Sequence, residues 1–154
     1  ERIEQVGNYI EAFHMKGFRS PFYLRTNAMF AVLARFFQYD SSVPDTDCFT
    51  MGMQRGGCAL ARPYRRHGIV ELPVTLPFEI PWMSGQCSPR ALLKYWLPKI
   101  DFIQAANGVL VLNTHPDMHV SGRPAMRRAY AELLDELIAR NARFSLAHQL
   151  LNNH

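Results

Sequence analysis

The stretch GVLVLNTHPDMHVSGRP, residues 108–124, decides how the rest of the sequence is interpreted. Its first six residues, 108–113, have the apolar pattern of a buried strand, the clearest strand pattern in the chain. Asn113, His115 and Asp117 follow where the chain would leave the sheet. In α/β folds the chemistry lies at the carboxyl ends of parallel strands, where an imidazole can act as an acid or base or bind a metal. We therefore predict a functional loop directly after this strand.

The remaining sequence alternates predicted helices and strands. Helices are expected over residues 1–15, 26–36, 88–106 and 121–140, and strands over residues 18–22, 38–42, 69–76, 108–113 and 143–146. Thr26 or Asn27 can cap the second helix, and Ser88 with Pro89 can begin the third. Residues 43–68, which are rich in Gly and Pro, are predicted to form a long irregular loop. This alternation predicts a single α/β domain over residues 1–154, built from βα units around a mostly parallel sheet.

The composition is that of a globular chain. It has 154 residues, of which 48% are hydrophobic and 19% are charged, and this suits one domain. We expect no membrane span, because the sequence contains no run of about 18 apolar residues. The net charge of +4 is spread along the chain without a stripe of interleaved aromatic residues, so we expect no nucleic-acid partner.

The cysteine pattern excludes the common cysteine motifs. The chain has three cysteines, Cys48, Cys58 and Cys87, and no CxxC pair, so a zinc ribbon or a redox motif is not expected. Free thiols and a Cys48–Cys58 disulfide both remain open.

Basic and acidic side chains next to the predicted strands are candidates for chemistry. Arg19 lies in the turn GFRSPF, where it either forms a surface ion pair or faces inward and holds a carboxylate in its charged form. Asp40 follows an aromatic strand. Asp45 and Asp47 come soon after it and either bind a metal or form turns. Glu71 lies within the apolar strand IVELPV, facing solvent or facing inward with a partner such as an arginine.

Other residues allow two interpretations each. Trp82, in a loop with Pro and Gly, either walls a sugar-binding cleft or covers the core. His115 and His119 have an HxxxH spacing that binds zinc when it lies on a helix, but Pro116 indicates a loop there. Because no glycine-rich phosphate loop or GxSxG elbow occurs, an unrelated nucleotide-binding α/β domain is the least favoured alternative.

Taken together, these motifs resemble a family. GFRSPF, YDSSVPDTD, GGC, IVELPVTLP, and VLVLNTHPD followed by SGRP resemble, in order, the second half of a polysaccharide deacetylase domain of the carbohydrate esterase family 4 type. The resemblance extends over nearly the whole chain. It implies a partial distorted (β/α) barrel and a carbohydrate substrate. It also implies a divalent metal, usually zinc, in the complete domain, for hydrolysis of an N-acetyl amide.

The resemblance also assigns roles to individual residues. Arg19 matches the arginine that orients the catalytic base, and His115 matches the histidine that protonates the departing amine. Asp40 falls in the acidic motif and is assigned to the catalytic set, although the tryptophan that usually follows that motif is missing. The residues expected to contact substrate are Trp82, Asn113, where the family often has Leu, and Asp117.

The early motifs of the family have no match in this chain. Nothing corresponds to the Phe-Asp-Asp-Gly and His-Ser-x-x-His motifs, which supply the base and the metal ligands. Since the sequence also begins without Met, we expect it to be the C-terminal part of such a domain. We expect it to bind no metal and to be inactive by itself. Alternatively, it is a non-catalytic half-barrel that binds carbohydrate or a partner. In either case, exposed barrel edges are expected to favour self-association.

Overall fold

The described strands form one small mixed sheet. The structure is a computed structural model that describes residues 7–44, 60–76 and 88–153. The strands are β1 (Gly17–Phe18), β2 (Tyr39–Asp40), β3 (Tyr64–Arg66) and β4 (Ile69–Glu71), in the spatial order β1-β2-β4-β3. β1, β2 and β4 are parallel, and β3 is antiparallel to β4. The parallel arrangement predicted from the sequence is therefore confirmed for three of these strands.

Four α-helices accompany the sheet in the part of the chain that the structure describes. They are α1 (Gly7–Ala12), α2 (Asn27–Leu33), α3 (Pro89–Ala105) and α4 (Pro124–Ala139), and short 3₁₀ helices span Pro21–Tyr23 and Ala147–Asn153. The predicted caps are confirmed, since the Thr26 hydroxyl accepts from the N–H of Met29 and the Ser88 hydroxyl accepts from the N–H of Ala91. No helix among these is both long and apolar enough to cross a membrane.

Two apolar clusters stabilise the arrangement. The first joins α3 and α4, and its buried members include Leu92, Trp96, Ile100, Met126 and Leu133. The second packs α1 and α2 against the sheet, and its buried members include Ile10, Phe30, Leu33, Phe37 and Ile69. The buried residues of α2, α3 and α4 recur every three or four positions, as the 3.6-residue period requires.

The structure corrects the strand prediction for residues 108–113, which was the clearest in the sequence. This segment runs beside residues 75 and 76, but it is not a β-strand. The Thr75 hydroxyl replaces part of the ladder, because Oγ1 donates to the Val109 carbonyl at 2.9 Å and accepts from the Val111 N–H at 2.8 Å. The Val111 carbonyl accepts from the N–H groups of Thr75 and Leu76, both at 3.0 Å. A side chain therefore makes contacts that neighbouring backbones make in a regular sheet.

The predicted loop over residues 43–68 contains an unpredicted strand. β3 pairs with β4 across a two-residue turn of His67 and Gly68, whose φ angles are +46° and +86°. Positive φ at both positions defines the hairpin turn whose twist matches that of the flanking strands. Residues 45–59 of the predicted loop lie outside the described residues.

The other strand predictions were wrong in extent or in kind, and those over residues 38–42 and 69–76 shorten to β2 and β4. The strand predicted over residues 18–22 ends at Phe18, because a 3₁₀ helix with a positive φ of 54° at Phe22 follows. Residues 143–146 form no strand, since the Leu146 N–H donates to the Gln149 side chain, and the helix Ala147–Asn153 follows. The described sheet contains only β1 to β4, and residues 143–146 pair with none of them.

Candidate functional site

The carboxyl ends of the three parallel strands carry a connected set of polar groups. Arg19 follows β1, Ser41 follows β2 and Leu72 follows β4. The Arg19 Nε donates to the Ser41 carbonyl at 2.9 Å, and its Nη2 donates to the Ser41 hydroxyl at 2.8 Å. That hydroxyl donates in turn to the Leu72 carbonyl at 2.8 Å. One chain of hydrogen bonds therefore joins the three strand ends.

Asn113 brings a distant part of the chain to the same place. Its Oδ1 accepts from Nη1 of Arg19 at 2.8 Å, although the two residues are 94 positions apart. Two predicted site residues, Arg19 and Asn113, are thus in direct contact. His115 comes two residues later along the same loop.

The backbone of His115 is fixed by Ser121, and its side chain is exposed. The His115 N–H donates to the Ser121 hydroxyl at 3.3 Å, and the His115 carbonyl accepts from the Ser121 N–H at 3.1 Å. This contact closes the loop that leads into α4. An imidazole that reaches solvent from a closed loop can exchange a proton with a bound molecule.

Asp40 lies inside the molecule. Its side chain is fully buried at 0% exposure, Oδ2 accepts from the Ser42 N–H at 3.0 Å, and Oδ1 accepts from the Ser42 hydroxyl at 2.8 Å. The Ser42 hydroxyl also accepts from the Ser20 N–H at 2.8 Å. Asp40 therefore ties the segment after β2 to the segment after β1.

Glu71 faces Asp40 from the neighbouring strand. The two residues are register partners of β2 and β4, and Glu71 is also fully buried. Its Oε1 accepts from the Val43 N–H at 2.9 Å, whereas its Oε2 has no hydrogen-bond partner among the described residues. Burial, followed by the neighbouring Asp40 carboxyl, raises the pKa of Glu71 to about 9. Glu71 is therefore neutral at pH 7.

Arg25 supplies positive charge near this carboxyl pair. It is half-buried, and its Nη1 donates to the Tyr23 carbonyl at 2.9 Å. Burial, followed by repulsion from Arg66, lowers the pKa of Arg25, while Glu71 and Asp40 act in the opposite direction. The arginine partner considered for an inward-facing Glu71 is therefore present as an electrostatic neighbour.

Asp117 forms a turn. Its Oδ1 accepts from the N–H groups of His119 at 2.8 Å and Val120 at 3.0 Å. This Asx turn shapes the loop between His115 and α4. His115 and His119 do not share a helix, and the residues that the structure describes contain no group of three or more His, Cys, Asp or Glu side chains able to hold a metal.

A cavity of about 410 Å³ opens beside this loop. Trp96 and Tyr130 contribute aromatic surface, Met126 contributes apolar surface, and Thr114 and Pro116 come from the loop itself. A volume of this size with mostly apolar walls is typical of small-molecule sites.

Some predicted residues fall outside the described part of the chain. These are Trp82, Asp45, Asp47 and the three cysteines. Sequence reasoning also missed residues that the site uses, chiefly Ser41 and Ser42. The only local signal for them was their position directly after an aspartate at a strand end, within YDSSV.

Comparison with known proteins adds no identification. Neither a protein-family model nor a curated protein matched this sequence.

Proposed function

We propose that this chain forms part of a metal-dependent hydrolase that removes N-acetyl groups from a polysaccharide or sugar-like substrate. In this proposal the sheet belongs to a distorted (β/α) barrel, with the site at the carboxyl ends of its parallel strands. The observation that carries the proposal is the contact of Arg19 with Ser41 and Asn113 at this edge. In this contact the guanidinium meets Asn113, two residues before His115.

Arg19 would hold the carboxylate that acts as the base. The described residues provide acceptors for three of its five N–H groups, so donors remain on the terminal nitrogens for an anion. A guanidinium beside a carboxylate lowers the pKa of that carboxylate and keeps it ionised. The base would then accept a proton from the attacking water. Asp40 is buried and bonded to Ser42, so its role in the proposal is to hold the segment that carries Ser41.

His115 would act as the general acid. As the amide C–N bond breaks, the imidazolium transfers its proton to the departing nitrogen, so the products are acetate and a neutral amine. Its exposed side chain and closed loop suit this role. The neighbouring cavity is large enough to take part of a substrate.

The described residues do not fit a metal ion. Asp40 and Glu71 are buried and share their environment, and the Asp117 carboxylate accepts from two backbone N–H groups through one of its oxygens. In the proposal the cation would be held by residues outside the described ranges and would supply Lewis-acid polarisation of the amide carbonyl. No step at Arg19 or His115 depends on its position.

Acetate release from N-acetylated oligosaccharides tests this function. The protein should be expressed from its entire reading frame and assayed against a panel of such sugars with added Zn²⁺. His115→Gln should lower kcat about 100-fold or more, since general acid catalysis contributes on that scale. Arg19→Lys should cause a comparable loss, because lysine cannot reproduce the planar set of donors.

His148→Gln is the matched control, because His148 is exposed and lies in the C-terminal 3₁₀ helix, outside the segments that carry Arg19, Ser41 and Asn113. It should retain wild-type activity. Activity that survives both His115→Gln and Arg19→Lys would contradict the proposal. Sugar binding without any hydrolysis would instead indicate the non-catalytic carbohydrate-binding module.

A further inference from the structure

Ser41 contacts Arg19 through two different atoms. Its backbone carbonyl accepts from Nε, and its side-chain hydroxyl accepts from Nη2. These two nitrogens form one side of the guanidinium fork, so a single residue engages that whole side. Two parallel hydrogen bonds to a planar group fix its orientation as well as its position.

The direction of the Ser41 hydroxyl is also fixed. Its hydrogen is donated to the Leu72 carbonyl at 2.8 Å, which leaves oxygen lone pairs for the arginine. A hydroxyl without such an acceptor could rotate. The Leu72 carbonyl therefore fixes the orientation of the Ser41 hydroxyl, so that its oxygen lone pairs face Arg19.

Ser41 itself is held rigidly. Only 3% of it is exposed, and the residues around it are bonded through buried carboxyl groups: Asp40 accepts from Ser42, and Glu71 accepts from the Val43 N–H. Asn113 then engages Nη1, the remaining terminal nitrogen of the guanidinium. The protein therefore fixes the plane of the guanidinium, and with it the direction of the N–H groups that have no acceptor among the described residues, before any ligand binds.

We infer that Ser41 is a positioning residue that, together with Asn113, orients Arg19 so that the two N–H groups without an acceptor among the described residues meet a carboxylate. This inference rests on the proposed function, in which that carboxylate is the catalytic base. A long arginine side chain loses rotamer freedom when it is fixed, and Ser41 imposes that loss before the substrate binds. Removing the hydroxyl should therefore slow the reaction while leaving substrate binding unchanged.

The first test is a double-mutant cycle in the protein expressed from its entire reading frame. Ser41→Ala should lower kcat about 10-fold, on the scale of one charge-assisted hydrogen bond, with KM within about 2-fold of the wild type. In an Arg19→Lys background the same substitution should have almost no further effect. Ser145→Ala changes an exposed serine outside the segments that carry Arg19, Ser41 and Asn113, and it should leave both kcat and KM unchanged.

The second test does not depend on activity. The Arg19 Nε–H resonance, identified by its loss in Arg19→Lys, should be resolved and slow to exchange with solvent in the wild type. In Ser41→Ala the Nε–H keeps its bond to the residue 41 carbonyl but Nη2 loses its acceptor, so the guanidinium is free to swing and the Nε–H should exchange at least about 10-fold faster. Circular dichroism checks folding, and Ser41→Cys, which keeps the size but is a weak acceptor, replaces Ser41→Ala if that variant is unfolded.

These tests separate the two proposals. An unaltered Nε–H exchange rate in folded Ser41 variants would overturn the positioning role, as would a loss of kcat that persists fully without Arg19. If the wild type hydrolyses no amide but Ser41→Ala accelerates the exchange, the positioning role stands and the hydrolase proposal fails.

Discussion

Asp40 and Glu71 lie opposite each other on neighbouring parallel strands, and both side chains are completely buried. Two ionised carboxylates at such a position would repel each other in a poorly solvated environment. Glu71 therefore retains its proton, and its pKa rises to about 9 because of burial first and Asp40 second. The strand ends that carry the candidate site thus include a buried carboxyl group, that of Glu71, whose neutral form is favoured by its surroundings.

The first prediction concerns the pH dependence of stability. Glu71 has a higher pKa in the folded protein than the ordinary value of 4.5, so the folded state binds more protons than the unfolded state between about pH 4.5 and pH 9. The stabilisation by this proton is complete below that window and is lost as the pH rises through it. The maximum slope is about 1.4 kcal/mol per pH unit. Urea unfolding between pH 5 and pH 9 measures it.

Glu71→Gln isolates this contribution, because an amide stays neutral at every pH. The free energy of unfolding of the wild type relative to Glu71→Gln should fall steadily as the pH increases. Glu132→Gln, which changes an exposed glutamate on α4, should not alter the pH dependence. If the wild type and Glu71→Gln differ by the same amount at pH 5 and pH 8, Glu71 does not keep its proton in the fold.

The second prediction concerns Thr75, whose hydroxyl attaches residues 108–113 to the sheet region. Thr75→Val keeps the shape but leaves the Val109 carbonyl and the Val111 N–H without this partner. Because Thr75 is fully buried, we expect the substitution to lower the free energy of unfolding by about 1–3 kcal/mol. Amide hydrogen exchange at Val111 should also become faster.

Thr75→Ser is the matched control, since it removes a methyl group but retains both hydrogen bonds. Its Val111 amide should keep the wild-type exchange rate. Equal exchange in Thr75→Val and Thr75→Ser would show that the hydroxyl does not hold this segment.

The third prediction concerns self-association of residues 1–154. β1 and β3 are the outer strands of the described sheet, and Phe22 is 74% exposed just after β1. Outer strands with nearby exposed apolar side chains favour pairing between chains. Sedimentation velocity should show a dimer whose fraction increases with concentration.

Phe22→Asn should increase the monomer fraction without loss of stability, because asparagine tolerates the positive φ of 54° at this position better than phenylalanine. Phe102→Asn on α3 provides a control that also removes an exposed phenylalanine. A strictly monomeric wild type over the whole concentration range would refute the prediction.

The helices could be predicted because their signals are local. The Thr26 and Ser88 caps and the apolar period of α3 act within one or two turns, and the structure confirms them. The hairpin at His67 and Gly68 also had a local signal, a two-residue turn with glycine between two short strands, which sequence reasoning passed over. Residues 108–113 could not be assigned correctly, because Thr75, which replaces their ladder, is more than thirty residues away.

The residues of the candidate site also divide into those with a local sequence signal and those whose role depends on distant residues. Arg19, Asn113 and His115 could be named because they lie within or directly after predicted strands, and the structure brings Arg19 and Asn113 into contact. The role of Ser41 depends on how the carbonyl of Leu72 and the side chain of Arg19 approach it, which no local pattern reveals. Whether Glu71 faced inward was similarly open, since alternation in an apolar strand permits both faces.

The attachment of residues 108–113 through Thr75 has a consequence for how this chain tolerates change. A backbone ladder survives almost any substitution, because every residue except proline supplies the same donor and acceptor. Here two of the bonds that hold the segment depend on a single hydroxyl, so of all residue types only serine can replace threonine with both of them kept in that space. A substitution that an ordinary strand would tolerate would, at this one codon, leave the segment that leads to His115 held by backbone bonds alone.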